Sequence, residues 1–243
     1  KDDRPSFVTQ ISETKDLSFM RQDGKITDLN SLKGKVLVVQ SLTLSQPDEL
    51  TTGVMKRLAG KFSDNGDVVL VTLMLDPGPA EGLQAELTAL ATDLGAELPR
   101  WVVGSNERPT LHRFVKNEFK ANMLPHEAEG KWEYDRSIVL IDRNRHVRRA
   151  VIPQNKGRSY VIPFDFEQAQ KWDDDGILTG NELSNTEQME ALVVKTIDKL
   201  LLEGVEKEKG IEPARILMVV GLGFVLLISL IFLKSRSSRK QTN

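Results

Sequence analysis

No cysteine occurs in the sequence, which removes disulfides, thiolate nucleophiles, cysteine-held zinc and iron–sulfur clusters together. Soft-metal chemistry is left to three histidines and six methionines. Met123-Leu124-Pro125-His126 puts a thioether and an imidazole in one loop, and Met74 sits at the end of a strand-like run. Such donors suit copper, although methionine more often fills a core and a loop histidine more often faces water. His112, beside Arg113, reads as an exposed residue on the polar side of its helix.

Two charged segments have spacings that suggest binding. In KWDDDGILTGNE (171–182), Asp173, Asp175, Gly176, Leu178 and Glu182 fall at positions 3, 5, 6, 8 and 12 of a calcium loop. Lys171 occupies the first position, removing one ligand and adding a repelling charge. The segment is therefore either a weak calcium site between short helices at 166 and 183 or a solvated acidic turn bent at Gly176. Arg143, Arg145, Arg148 and Arg149, with Lys156 and Arg158 nearby, make a second charged region. It reads as an edge protected by charge or as a docking surface for an acidic partner or lipid headgroups. The sequence has no phosphate-cradling glycine loop, Ser/His/Asp arrangement or H-E-x-x-H motif, so no small-molecule substrate is implied. A net charge of −2 with a mildly acidic body does not suit nucleic acid.

These residues must be held by a folded domain. Residues 36–41 (VLVVQS) and 68–75 (VVLVTLML) are apolar, β-branched runs suited to buried strands. Between them a helix starts near Pro47, with Asp48 and Glu49 at the positive end of its dipole and Leu50, Val54, Met55, Leu58 and Phe62 inward. Further helices are expected over 79–94, 109–119 and 186–202, a short strand over 100–103, and a hairpin of 137–141 with 146–151 about Asp142-Arg143-Asn144. Residues 1–18 read as an extended leader and 152–185 as an inserted, mostly polar segment. The βαβ pattern, then a hairpin and a closing helix, predicts an α/β, thioredoxin-like domain over 19–204, a central mixed sheet flanked by helices.

Residues 216–233 (ILMVVGLGFVLLISLIFL) carry no charge, and at about 1.5 Å per residue they span roughly 27 Å, enough to cross a bilayer. A linker (205–215) precedes this expected transmembrane helix and a tail (234–243) follows it. The tail bears Lys234, Arg236, Arg239 and Lys240 and no acid. By the positive-inside rule the tail is cytoplasmic or matrix-side and the folded domain extracytoplasmic, in a periplasm or intermembrane space. An opening Lys1-Asp2 without Met fits removal of a signal peptide; a tail-anchored protein with a cytosolic domain is the alternative topology. Gly221 and Gly223 would let a partner helix approach, without forming a GxxxG motif.

The order of segments DGKITDLNSLKGKVLVVQ, PDEL, VVLVTLMLDP, PRWVVGSNERPTLHRFV and DRSIVLIDRNRHVRR resembles the Sco/SenC family of membrane-anchored, thioredoxin-fold copper chaperones of cytochrome oxidase assembly. The resemblance covers roughly 20–151 and the last helix. It implies a copper site made by a CPxxC loop after the first buried strand and a histidine before the hairpin. Here those positions hold Gln46, Leu50 and Arg136, a degenerate set without thiolate or imidazole. Arg136 would put a permanent charge where a metal sat in the family, paired with Asp48 or Glu49. The resulting expectation is a non-catalytic, cofactor-free accessory or scaffold subunit, bound to the bilayer and to other subunits of an electron-transport complex. Its rivals are a copper- or redox-linked assembly factor using non-cysteine ligands and a calcium-responsive adaptor.

Overall fold

The computed structural model describes residues 4–152, 159–177 and 183–204. The expected span 216–233, with Gly221 and Gly223, lies outside the described residues, as do 205–215, the tail, Lys156 and Arg158. Among the described residues no helix is long and apolar enough to cross a membrane.

Two strands form the centre. β4 (Val36–Leu42) and β5 (Val68–Met74) are buried at every position and pair in parallel, Val36 opposite Val68 through Leu42 opposite Met74. Side chains alternate across a strand, so each run supplies two cores. Val36, Val38, Leu42, Val68, Leu70 and Met74 face one side, while Leu37, Val39, Val69, Val71 and Leu73 face the other. Covered sheet faces explain why these runs read as continuous apolar stretches. β6 (Trp101–Ser105) continues the sheet in parallel beyond β5, and β9 (Val139–Ile141) lies antiparallel to β4 on the other side. β10 (His146–Ile152) follows β9 through the expected hairpin turn, which Arg145 closes with a left-handed φ of 65°. The fold is an α/β, thioredoxin-like domain with a central mixed sheet.

Helices close both faces. α1 (Glu49–Lys61) begins where Asp48 accepts from Thr51 N at 3.1 Å, close to the expected start at Pro47. α2 (Leu83–Leu94) starts four residues later than 79, after a turn over 79–82, and stops at Gly95, whose φ of 69° ends a helix without strain. α3 (Arg108–Asn117) packs in the second core, and α5 (Asn185–Leu202) in the first, with a capping box at Ser184 and Glu187.

Three parts differ from the sequence expectation. The leader contains β1 (Ser6–Gln10), which pairs with β10, so the sheet begins before residue 19. β2 (Ser18–Arg21) and β3 (Ile26–Asp28) add a further hairpin beside β6. There Gly104 lies so close to the Phe19 ring that a Cβ would collide with it. The supposed insertion is partly core: β11 (Tyr160–Ile162) pairs with β10, and α4 (Phe166–Asp174) packs on α1 and α5. Phe164, Phe166 and Ala169 are among the most buried side chains. Tyr160, Val161, Trp172 and Ile177 of this segment are exposed, and it is Phe164, Phe166 and Ala169 that enter the core, a division that an average over its composition hides.

Candidate functional site

The loop between β4 and α1 occupies the place where the resemblance puts two thiolates. It is tied down by the second residue after β5. Asp76 accepts from Leu44 N at 2.7 Å, Ser45 N at 3.0 Å and Ser45 Oγ at 2.7 Å. A carboxylate taking several N–H and O–H donors is a strong anchor, so the Asp76-Pro77 pair has a visible structural job.

Each of the three degenerate positions also has one. Gln46 Oε1 accepts from Trp132 N at 3.0 Å, joining the loop to β8 (Lys131–Glu133), the second strand of a small hairpin with β7 (His126–Ala128). Leu50 packs against the first core. Arg136 does not pair with Asp48 or Glu49 in the way its charge suggested. Its guanidinium lies 5.0 Å from the centre of the Tyr134 ring, a cation–π contact, while the Asp48 carboxylate caps α1. Tyr134 is 5% exposed, and burial pushes its phenol above the usual range. An amide, an alkyl chain and a stacked guanidinium do not form a copper-binding set.

Beside this loop lies a residue the sequence placed wrongly. His112 is 8% exposed, its Nε2 2.7 Å from the Leu75 carbonyl oxygen and its ring edge-on to Trp132 with centroids 5.6 Å apart. Arg108 covers the same indole at 5.4 Å and donates to the Pro77 carbonyl at 3.1 Å. The β7–β8 hairpin, for which no strand signal stood out, folds over the face of α3 that looked polar. Burial holds the His112 pKa below its ordinary 6.5 despite the Leu75 carbonyl, and the nearby Arg108 lowers it further.

The other candidate donors are dispersed. Met74 is fully buried in the first core, while His126 is exposed on β7 with Nε2 3.5 Å from Glu133 and Nδ1 3.0 Å from the Leu124 carbonyl. In the acidic segment, Lys171 through Asp174 belong to α4 rather than to a loop. Asp173 accepts from Asn185 N and Nδ2 and from Thr186 N and Oγ1, at 2.6 to 3.0 Å. Both its oxygens are thus engaged at the start of α5. Asp175 ends α4 and Gly176 turns the chain with φ of 69°; Leu178 and Glu182 lie outside the described residues. No group of three His, Asp or Glu side chains is placed to hold a metal among the described residues.

The four hairpin arginines do not form one open patch. Arg145 is 4% exposed and reaches Asp16 at 3.2 Å. Arg148 reaches Asp142 at 2.6 Å, both oxygens of Glu203 at 2.6 and 2.8 Å, and the Pro5 carbonyl at 2.8 Å. Arg143 pairs with Asp67 at 2.9 Å, and Arg149 reaches the Lys120 carbonyl at 3.4 Å. Apart from Asp142, the acids come from distant parts of the chain, so charge density along the hairpin could not show how far these cations were spoken for.

The sequence matches no protein-family model and no curated protein. Solved structures share its fold. BsSco, a member of the Sco family of cytochrome c oxidase assembly proteins, aligns with a TM-score of 0.51 at 18% identity, over 82% of this chain and 96% of that one. A SCO1/SenC family lipoprotein from Bacillus anthracis aligns with a TM-score of 0.50 at 20% identity, over 76% and 93%. The chain therefore has the thioredoxin-like fold of Sco structures. The likeness of fold agrees with the segment order that resembled the Sco/SenC family.

Proposed function

We propose that this chain is a non-catalytic, Sco-like accessory or scaffold subunit of a membrane complex related to electron transport. A single span at 216–233 anchors it, with the folded domain on the extracytoplasmic side. The observation that carries the reading is the use made of the three degenerate positions. Gln46 holds the β8 strand, Leu50 fills core and Arg136 stacks on Tyr134. Three former ligand positions whose side chains all serve the fold support a domain kept for its surface. Its placement in electron transport is by analogy of fold, and the span rests on the apolar run alone.

Gentle solubilisation of native membranes and purification of this protein tests the reading. A fixed set of membrane subunits recovered at constant stoichiometry, with no copper retained, is the expected result. Recovery of the chain alone, or of one copper per chain, would replace the scaffold with a transient or metal-handling assembly factor.

A further inference from the structure

The loop that carries Gln46 also borders a groove on the α2 side of α1. The groove has a volume of about 470 Å³, and neither Gln46 nor Arg136 lines it. Its apolar lining comes from Leu42, Leu44, Pro47, Leu90 and Leu94; Leu44 and Pro47 are exposed, and Leu42, Leu90 and Leu94 lie buried beneath them. Three carboxylates, Asp48, Glu49 and Asp93, stand around this surface against one cation, Lys56. The Lys56 ammonium donates to the main-chain carbonyl of Asp93 at 3.0 Å. Among the described residues none of the three carboxylates forms an ion pair. Elsewhere on this domain acids commonly do find partners, as Asp67, Glu190 and Glu203 show.

We infer that this groove docks an arginine- or lysine-bearing segment of a partner protein. The long aliphatic stem of such a side chain lies on the leucines while its cation reaches the carboxylates, the division of labour that basic side chains adopt at apolar–polar boundaries. Unpaired acids around an apolar floor favour a basic occupant and repel an acidic one. The inference rests on the scaffold reading and names the surface that reading requires.

The test uses the full chain in its native membrane, with a photo-reactive benzoylphenylalanine replacing Thr52 in the groove wall. Cross-linking to one segment of a co-purifying subunit, rich in Arg or Lys, is the expected outcome. Glu49→Lys with Asp93→Lys should lower that yield about tenfold, and the isosteric pair Glu49→Gln with Asp93→Asn should lower it by less. Asp48 is left intact because it caps α1. Yield should also fall as salt is raised, since the carboxylates are screened. The docking site is overturned if both double variants cross-link like the parent, or if the cross-link falls on an acidic segment, on a second copy or on the chain's own 234–243. Subunits that still co-purify while the groove cross-links to none of them refute the groove and leave the scaffold standing. If the parent recovers no subunit at all, both fall.

Discussion

The loop between β4 and α1 and the β9–β10 hairpin are built on opposite plans. The loop has few charges, and its shape comes from one half-buried carboxylate, Asp76, taking three hydrogen bonds. The hairpin is crowded with charge, and most of it is turned inward. Asp142 is 2% exposed and binds Asn144 N, His146 N, His146 Nδ1 and Arg148. Arg148 in turn holds the main chain before β1 and the residue after α5. In the region where the family resemblance placed chemistry, the side chains support the fold. In the region that looked like an exposed binding surface, charges lock the two ends of the domain to its sheet.

The contrast is sharpest if the hairpin lock is cut. Asp142→Asn removes one of the two carboxylates on Arg148 while Glu203 stays paired, so the loss is that of a hydrogen bond to a charged group, about 3 kcal/mol. Chemical denaturation of the folded domain should show a loss of that size; a loss below about 1 kcal/mol would mean the network is no more than a surface decoration. Asp76→Ala should cost less, about 2 kcal/mol, because water can replace part of what the loop amides lose. Hydrogen exchange at Leu44 and Ser45 should quicken far more than exchange in β4, and uniform protection would show that the loop is held by something else.

A pH series separates the regions by a different route. The folded pKa of His112 lies below its ordinary 6.5, so its contribution is complete above that value and declines as pH falls from there toward the folded pKa. The parent should therefore lose stability on going from pH 7.5 to 5, and His112→Gln should flatten that part of the profile. The smallest effect is expected at Arg149→Ala. Among the described residues Arg149 reaches only the Lys120 carbonyl, at 3.4 Å, and its loss should change stability by about 0.5 kcal/mol. A cost equal to that of cutting the Asp142–Arg148 pair would erase the distinction between neighbouring arginines on which the comparison depends.

Local pattern made much of the scaffold legible. β4 and β5 declared themselves as β-branched runs, α1 by Pro47, Asp48 and its apolar spacing, and the β9–β10 turn by Asp142-Arg143-Asn144. The small strands β7, β8 and β11 did not, because three residues are too few to establish a period. Phe166 and Ala169 were hidden in a segment whose average is polar. The loss of family ligands at Gln46, Leu50 and Arg136 was readable residue by residue. Their present contacts were not, since Trp132 lies 86 positions from Gln46.

The sequence by itself determined the buried strands, the apolar faces of the helices, the absence of cysteine chemistry and the one long apolar run, because each depends on residue type and near-neighbour spacing. The tertiary structure alone decided that His112 is covered, that Asp173 caps a helix and that Arg145 and Arg148 are consumed inside. Those outcomes depend on which distant segment arrives beside a side chain. An arginine with a carboxylate from 55 positions away and an arginine facing water are the same letter in a sequence; only the fold brings the partner and removes the solvent.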